Sequence, residues 1–392
     1  MSNGRFYIAL YGLSYKHNPL AVRTGGDEEG FNRRRPPLDM AETIRLATRG
    51  SDLALRQTRG VARTLERRRR AVELLEVETT GDSVREELIH RLGKTGAFVR
   101  RLDEEVLAGE ADAAVHSMKD VPTEFPEDLV IAGVPERAPA GDVLVTPDGT
   151  ALADLPEGAT VGTGSLRRQA QLLAARPDLG VRGLRGNVDT RVEKLLAPGL
   201  QTEHERRLEA AEAGEDAFEV SPESWFEALS EHERRALGRE VDTEYDAIVL
   251  AAAGLDRLGL LESLRVERLE PAFVPAPGQG AIAVSAPDGD LADTLQHELD
   301  HPRTRVETTV ERTILGTLGG GCVAPIGIHA VIRGEYVHTR VRVLAQDGSR
   351  TVEATRDLPV ERHPEAARAL AEELAEEGAA DLIERAKREV GE

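Results

Sequence analysis

LATRGSDLALRQ (residues 46–57) and VGTGSLRRQAQL (residues 161–172) share one pattern, in which a short apolar strand runs through a glycine into a serine and a helix. A serine in that position can cap the helix that follows. Strands and helices alternate after each copy, as they do in α/β domains. The repetition predicts two similar α/β domains that face each other across a cleft, where helix N-termini favour the binding of anions.

Changes in this alternation divide the chain into predicted segments. Residues 1–39 are punctuated by glycine and proline and show no sustained periodicity. We expect them to be a disordered tail or an artefact of the assigned start, with Met40 as the native first residue. The segments are, in chain order, this tail at 1–39, a first domain at 40–138 and 275–300, a second domain at 139–274 that contains an acidic helical insertion at 198–242, and a small third α/β domain at 301–392.

The composition excludes several classes of protein. The formal net charge is −20, from 50 Lys and Arg against 70 Asp and Glu, which argues against nucleic-acid binding. No run of about 18 apolar residues is present, so we expect no membrane-spanning helix. The single cysteine cannot form an internal disulfide, which favours a reducing compartment and predicts a cytoplasmic location. Only 5 of the 50 basic residues are lysine, and such an acidic, lysine-poor chain is typical of a salt-adapted organism.

Two short motifs point to chemistry that their context does not favour. His297-Glu298-Leu299-Asp300-His301 has the HExxH spacing of zinc proteases, but Pro302 follows directly and predicts that the helix stops too early. Gly93-Lys94-Thr95 resembles the end of a phosphate-binding loop, but Leu88 stands where that loop needs a glycine. We therefore expect no metal site and no P-loop.

Arginines are grouped at predicted strand ends and helix starts. The planar guanidinium group suits bidentate recognition of carboxylates. Each arginine alone could equally be a surface ion pair in so acidic a chain, so the argument depends on their grouping around the predicted cleft. The candidates are Arg49, Arg167, Arg168, Arg182, Arg185, Arg191 and Arg257.

Two further stretches carry candidate reactive groups. Lys119 and Asp120 follow a short apolar strand, where α/β domains often place functional side chains, although they could also be a surface pair that closes a turn. Cys322 follows three glycines and precedes Pro325, which indicates an exposed tight loop with an accessible thiol. The alternative is that this lone cysteine is a small buried apolar residue.

Taken together, these stretches resemble the porphobilinogen deaminase (hydroxymethylbilane synthase) family. The similar motifs fall in the family's order and span nearly everything after Met40. They are ATRGSDLAL (47–55), AVHSMKDVP (114–122), VGTGSLRRQAQL (161–172), RGNVDTR (185–191), AAAGLDRLGL (251–260), PAPGQGA (275–281) and GGGCVAPIG (319–327).

The resemblance implies an α/β fold of two domains like type II periplasmic binding proteins around a cleft, with a small α/β third domain that carries the cysteine. It implies an enzyme of tetrapyrrole and heme biosynthesis that joins four porphobilinogen molecules head to tail into hydroxymethylbilane. Each addition expels ammonia and leaves a methylene-pyrroleninium cation, which the free α-carbon of the growing chain attacks. The resemblance also implies a monomer and a product that passes to uroporphyrinogen-III synthase.

The resemblance assigns roles to individual residues as well. Asp120 matches the family's catalytic aspartate, with Lys119 beside it, and Cys322 matches the cysteine that holds a dipyrromethane cofactor through a thioether. The implied cofactor-binding residues are Cys322, Asp120, Lys119, Ser165, Arg167, Arg168 and Gly186. The implied substrate-binding residues, which would take the acetate and propionate groups of each pyrrole, are Arg49, Ser51, Arg185, Arg191 and Arg257.

Some features depart from the family pattern. Lys94 lies one position earlier than the lysine of the family's glycine-rich loop, which puts its contact with substrate in doubt. Gly164 stands where many relatives have serine, which removes one possible hydrogen bond. A non-catalytic anion-binding or solute-binding protein of the same fold is the main alternative function. It would have no use for an exposed cysteine after three glycines.

Overall fold

The computed structural model describes residues 43–77, 97–214, 217–321 and 324–391 of the chain. The predicted tail at 1–39, Lys94 and Cys322 lie outside the described residues. The described helices are α1 (Asp52–Arg67), α2 (Ala97–Leu107), α3 (Leu166–Ala175), α4 (Val188–Ala213), α5 (Pro222–Ala228), α6 (Glu231–Leu237), α7 (Ala252–Leu258), α8 (Asp290–Leu299), α9 (Pro302–Thr317), α10 (His363–Leu374) and α11 (Ala380–Gly391).

The first sheet has five strands, which are β1 (Ile44–Arg49), β2 (Val72–Val77), β3 (Ala113–Ser117), β4 (Leu129–Gly133) and β10 (Ile282–Pro287). Their order across the sheet is β2-β1-β3-β10-β4. β1 pairs in parallel with β2 and β3, whereas β10 runs antiparallel to β3 and β4. The strand β10 therefore enters the middle of this sheet from a distant part of the chain.

The second sheet also has five strands, which are β5 (Asp142–Val145), β6 (Thr160–Thr163), β7 (Gly180–Gly183), β8 (Ala247–Ala251) and β9 (Val266–Arg268). Their order is β7-β6-β8-β5-β9, with β6 parallel to β7 and β8 and with β5 antiparallel to β8 and β9. The strand order thus repeats that of the first sheet, with β5 in the position of β10. This repeated order is that of type II periplasmic binding proteins, so the predicted fold class is confirmed.

The third sheet is a meander of three antiparallel strands, β11 (Ile326–Arg333), β12 (Tyr336–Leu344) and β13 (Thr351–Pro359). Side chains alternate along β12, where every second residue from Val337 to Val343 is buried. This alternation is expected when one face of an antiparallel sheet packs on helices and the other meets solvent. Helices α9 and α10 complete the core on the buried face.

The two serines that were predicted to cap helices behave differently. Ser51 caps α1, because its hydroxyl accepts a hydrogen bond from the Ala54 N–H at 3.4 Å. Ser165 precedes α3 without a side-chain cap, so that part of the prediction is wrong. The backbone angles of Ser165 are φ −116° and ψ 118°, against −73° and 146° for Ser51, and its N–H donates instead to Thr163 Oγ1 at 3.2 Å.

The acidic segment that was predicted as an insertion is helical where it is described. Helix α4 continues through Pro198, so the predicted start of the insertion falls inside one helix. Ser221 accepts a hydrogen bond from the Ser224 N–H at 3.2 Å and so caps α5, which Pro222 opens. Arg239, near the end of this segment, pairs with the buried carboxylate of Glu193 near the start of α4. This ion pair holds the end of the segment against α4. Among the described helices, none has the length and apolar character needed to cross a membrane.

Candidate active site

Lys119 and Asp120 lie where the buried strand β3 ends. The strand passes directly into a 3₁₀ turn over Met118–Asp120. Met118 is 2% exposed and its N–H donates to the Ala281 carbonyl at 3.0 Å, which anchors the turn to the chain segment before β10. The next two side chains are exposed. The strand end therefore presents an ammonium group and a carboxylate side by side, as the sequence predicted.

Two arginines from the second domain share an electrostatic environment with this pair. Asp120 raises the pKa of Lys119, but desolvation together with the positive charges of Arg168 and Arg191 lowers it more, so the net shift is downward. Burial lowers the pKa of Arg191 to about 10, with Arg168 adding to this effect and Asp120 opposing it. The charges of Lys119, Asp120, Arg168 and Arg191 thus act on one another, across elements of the first and second sheets.

Arg167 and Arg168 are deeply buried at the start of α3, with 4% and 5% of their surfaces exposed. Both bind the carboxylate of Asp142, Arg167 through Nη1 at 2.7 Å and Arg168 through Nε at 3.0 Å and Nη2 at 2.8 Å. Burial raises the pKa of Asp142, but the two arginines lower it more and hold it well below its ordinary value. Two adjacent arginines can be buried here because one carboxylate lies between them.

Sequence reasoning missed Asp142. The available signal was an aspartate at the start of a strand that is otherwise apolar, DVLV at residues 142–145. A charge in that position is rare unless a partner neutralises it. The partners, Arg167 and Arg168, lie in a helix of the same domain, and only the strand order brings them to the start of β5.

Arg191 is held by the loop that carries Gly186. The Gly186 carbonyl accepts a hydrogen bond from Arg191 Nε at 2.8 Å. Gly186 has φ +108°, and a Cβ there would lie 2.5 Å from Thr190 Cγ2, so a side chain would strain this loop. A Cβ on Gly164 would lie 2.9 Å from the Leu184 carbonyl oxygen and 3.6 Å from Arg191 Nη2. A side chain at 164 would therefore press on the backbone at Leu184 and lie in ordinary contact with the Arg191 guanidinium.

The remaining predicted substrate-binding arginines differ in their burial and in the chain segments that they contact. Arg49 ends β1 and is half-buried, and Arg185 is half-buried in the loop before Gly186. Arg257 is on α7, and its Nη2 donates to the Gly280 carbonyl at 2.6 Å in the segment that leads into β10. Burial lowers the pKa of Arg257, with the charge of Asp256 opposing this effect. The guanidinium of Arg257 thus contacts the chain crossing between the sheets rather than the cluster at Asp120.

The loop that carries Cys322 is described at both ends. It joins α9 to β11, and the Ala324 N–H donates to the Gly321 carbonyl at 3.2 Å across the two residues outside the description. A Cβ on Gly320 would lie 2.5 Å from Ile326 Cδ1 and 2.8 Å from Leu315 Cδ1. Glycine is needed for this tight packing, whereas Gly321 is exposed. The exposure of Cys322 itself stays a prediction.

The HExxH stretch does not form a continuous helix. Helix α8 ends at Leu299, which confirms the predicted stop. His301 instead begins the next helix, and its Nδ1 lies 2.9 Å from Thr304 Oγ1. Glu298 pairs with Arg70 at 3.1 Å. In the described part of the chain, no group of three or more potential ligands forms a metal site.

His116, from the same motif as Lys119 and Asp120, is buried and forms hydrogen bonds within the core of the first domain. Its Nε2 lies 3.0 Å from both Asp103 Oδ1 and Ser285 Oγ, and Ser285 also donates to Asp103 at 2.8 Å. A catalytic triad needs the acid and the nucleophile on opposite nitrogens of the histidine. Here both contacts use one nitrogen, and all three side chains are buried. This group therefore fixes β3 to α2 and β10, and so positions the strand end.

Comparison with known families decides which chemistry this arrangement belongs to. A family model described as "Porphobilinogen deaminase, dipyromethane cofactor binding domain" matches residues 44–204 and 234–294. A second, described as "Porphobilinogen deaminase, C-terminal domain", matches residues 306–378. The chain belongs to the porphobilinogen deaminase family. Membership confirms the enzyme class, the transferase chemistry of tetrapyrrole formation and the dipyrromethane cofactor, and it does not support the non-catalytic alternative.

Relatives of the family are similar over most of the chain. A protein named probable porphobilinogen deaminase from Halobacterium salinarum is 53% identical, over 89% of this chain and 99% of its own. One of the same name from Methanococcoides burtonii is 38% identical, over 87% of this chain and 96% of its own. A porphobilinogen deaminase from Campylobacter hominis is 33% identical, over 88% and 98%. Residues 205–233, inside the helical insertion, fall outside the family models.

The site's donors fit the cofactor that the family implies. Dipyrromethane carries several carboxylates and pyrrole N–H groups, which call for cationic donors and for an acceptor. Lys119, Arg168 and Arg191 are the residues that would supply the first, and Asp120 the one that would supply the second. In addition, Arg167 Nε is buried and has no hydrogen-bond partner among the described residues. A buried donor of this kind is costly unless a further group satisfies it.

Proposed function

We propose that this chain catalyses the stepwise head-to-tail condensation of four porphobilinogen molecules into hydroxymethylbilane, with the loss of one ammonia at each addition. The observation that carries the proposal is that the charges of Asp120, Arg168 and Arg191 all act on Lys119, and that those of Asp120 and Arg168 also act on Arg191. A chain of pyrroles gains two carboxylates at every addition. A site for it needs more positive than negative charge, together with a carboxylate at the reacting centre.

The cations bind and orient the pyrrole carboxylates in this proposal. Arginine holds a carboxylate with two parallel hydrogen bonds, which fixes its orientation as well as its position. Arg191 is prepared for this role, because Gly186 holds its Nε and leaves its terminal nitrogens toward the space beside Gly164. Arg49, Ser51 and Arg185 extend the set at neighbouring strand and helix ends. Arg257 has a supporting part at the segment before β10.

Asp120 supplies the negative charge at the reacting centre. Expulsion of ammonia from porphobilinogen leaves a positive charge on the pyrrole, and a fixed carboxylate stabilises charge that develops in the transition state. The same carboxylate can accept a hydrogen bond from the pyrrole N–H and take up the proton that leaves the attacked ring carbon. Lys119 beside it, with a lowered pKa, can give a proton to the departing amine.

Cys322 holds the cofactor in this proposal, through a thioether on the loop between α9 and β11. When bound, dipyrromethane supplies the free pyrrole α-carbon to which the first substrate is joined. Ser165, Gly186, Arg167 and Arg168 would line its place together with Lys119 and Asp120. The close packing of Gly320 against Ile326 and Leu315 fixes the described end of this loop.

Intact-mass measurement of the purified protein tests the attachment directly. We expect a mass that exceeds the polypeptide by one dipyrromethane, and a Cys322→Ser variant without the increment and without ammonia release from porphobilinogen. The chain has one cysteine, so no other thiol can take over. An active wild-type protein without any increment would overturn the proposal.

Asp120→Asn separates the catalytic role from cofactor attachment. This variant keeps the shape of the side chain and loses its charge. We expect it to carry the cofactor mass and to turn over about 100-fold or more slowly, the range typical of a lost acid–base group. Turnover at the wild-type rate would show that the charge on Asp120 has no part in the reaction.

We also propose that the protein acts as a monomer in the cytoplasm and passes hydroxymethylbilane to uroporphyrinogen-III synthase. The single cysteine and the polyanionic product support a reducing, aqueous compartment. Sedimentation at working concentration tests the monomer, because a dimer would sediment as a species of twice the 42.5 kDa chain mass.

A further inference from the structure

A buried glutamine, Gln279, lies where the chain crosses back from the second sheet to the first. It is 1% exposed and belongs to the segment just before β10. Its side-chain oxygen accepts hydrogen bonds from Arg167 Nη2 and from Arg168 Nη2, each at 3.4 Å. Its side-chain nitrogen donates to Asp142 Oδ1 at 2.9 Å and to backbone carbonyls at 140 and 141. Every polar atom of this amide is therefore in use.

The two arginines depend on this amide because Asp142 cannot satisfy both of them alone. The carboxylate has two oxygens, and it meets Nη1 of Arg167 and the Nε and Nη2 of Arg168. Nη2 of Arg167 has only the amide oxygen of Gln279 among the described residues. Without it, Nη2 of this buried guanidinium would have no acceptor, and only Nη1 would keep its bonds to Asp142 and to the Val274 carbonyl. An unmade hydrogen bond of a buried charged group is unfavourable at low dielectric.

The backbone of Gln279 joins this group to the third domain. Its carbonyl accepts a hydrogen bond from Arg137 Nε at 2.8 Å. Arg137 in turn makes two bonds to the buried carboxylate of Glu311 on α9, at 2.8 and 3.0 Å. Glu311 also accepts from the Gly278 N–H at 2.6 Å. A continuous buried chain of hydrogen bonds thus runs from the helix before the cysteine loop to the arginines of α3.

We propose that Gln279 is a positioning residue for the binding of pyrrole carboxylates, acting through Arg167 and Arg168. Its amide holds the two guanidinium groups together against Asp142, and its backbone ties them to the crossing segment and to α9. Gln279 thus links the two arginines to the helix that precedes the cysteine loop. This inference rests on the proposed function, because it assumes that the arginines receive carboxylates of the cofactor or substrate.

Gln171 provides a matched control for a test by substitution. It is also 1% exposed, and it also binds the crossing segment, accepting from the Val274 N–H at 2.7 Å and donating to the Val274 carbonyl at 3.1 Å. It makes no described hydrogen bond to either arginine or to Asp142. Gln279→Leu and Gln171→Leu thus remove the same chemical group from the same part of the core, and only the first removes a direct hydrogen bond to the arginines. Gln171 reaches Arg167 only through the Val274 carbonyl, which accepts from both side chains.

The test compares cofactor loading, kcat and KM in the two variants. For Gln279→Leu we expect either failure to retain dipyrromethane by intact mass or, when it is retained, a KM for porphobilinogen raised about tenfold or more with a smaller change in kcat, as for a lost hydrogen bond to a charged group. For Gln171→Leu we expect normal loading and a KM within about twofold of wild type, whatever its thermal stability.

A loaded Gln279→Leu enzyme with unchanged KM would overturn the inference, and so would an equal rise of KM in Gln171→Leu. Gln279→Glu keeps the test decisive should the leucine variant fail to fold. Its ionised carboxylate would face Asp142, whereas its protonated form restores a donor, so we expect activity that recovers as the pH falls. A pH profile identical to that of wild type would contradict the assigned role of Gln279.

The failure of the proposed function is distinguishable from the failure of this inference. If the wild-type protein releases no ammonia from porphobilinogen, the proposed function fails.

Discussion

Asp142 neutralises one of the two arginines that begin α3, and its charge is expected to matter for stability as well as for the site. Asp142→Asn would leave two guanidinium groups buried without a carboxylate. Breaking a buried ion pair by removing one partner costs about 3–5 kcal/mol, and we expect a loss of that order in the free energy of unfolding, measured with urea. Asp178→Asn, at a half-buried pair with Arg176, is the control and should change stability less.

The same aspartate predicts how acid affects the protein. The pKa of Asp142 is lower in the folded protein than in an unfolded chain. Its contribution to the free energy of unfolding is therefore complete above about pH 4. This contribution is lost as the pH falls toward the folded pKa. The difference in unfolding free energy between wild type and Asp142→Asn should therefore shrink on acidification. A difference that stays constant from neutral pH to about pH 3 would contradict the assigned ion pair.

Sequence reasoning found the residues that lie next to each other in the chain and missed those that meet only in the fold. Lys119 and Asp120 were placed correctly at a strand end, because an apolar strand followed by charge is a local signal. Gln279 lies 137 positions from Asp142, and nothing local distinguishes it from a surface glutamine. The arginines were recognised, but their burial against Asp142 was not, since burial depends on the strand order.

At the scale of the elements, the turn between β12 and β13 packs closely on α3, the helix that carries Arg167 and Arg168. Gly348 lies in this turn with φ +72°, and a Cβ there would lie 2.5 Å from the Ala174 N and 2.8 Å from the Ala170 O of α3. These are backbone atoms, which cannot move aside without moving the helix. The third sheet therefore contacts the element that carries Arg167 and Arg168 directly, in addition to the path through Gln279.

Gly348→Ala tests this contact, with Gly334→Ala as the control. Gly334 lies in the turn between β11 and β12 with φ +62°, and a Cβ there would meet nothing within 4 Å. Both variants carry the strain of a side chain at positive φ, roughly 1 kcal/mol. We expect Gly348→Ala to lower the melting temperature by several degrees more than Gly334→Ala. Equal losses would mean that the turn does not press on α3.

Elements were predicted better than their ends. The strands that lead into Ser51 and Ser165, and the helices that follow these serines, were predicted from apolar periodicity, which burial in the fold enforces. The cap at Ser165 failed, because its N–H is engaged by Thr163 and its backbone rotates. Helix α4 runs through Pro198, which local rules would place at a helix start or end. At Ser165 a hydrogen bond to a residue two positions earlier replaces the cap, and at Pro198 a long helix outweighs the local preference.

At the scale of the whole molecule, the net charge of −20 predicts a dependence of stability on salt. Surface carboxylates repel one another, and salt shortens the range of this repulsion from about 10 Å at 0.1 M to about 3 Å at 1 M. We expect the melting temperature to rise with KCl between these concentrations. The buried pairs at Asp142 and Glu311 are screened little, so they should not offset the trend. A melting temperature that falls over this range would contradict the expectation.

The exchange of strands between the sheets has a consequence for how the chain is made. Strand β10 lies between β3 and β4, yet it begins at Ile282, whereas β4 ends at Gly133. While the ribosome adds the residues in between, β3 has no neighbour on one side and β4 has no place in the sheet. Unpaired strand edges invite association with other chains. A translation product that stops before Ile282 would therefore lack a complete first sheet, however well its own sequence suits one.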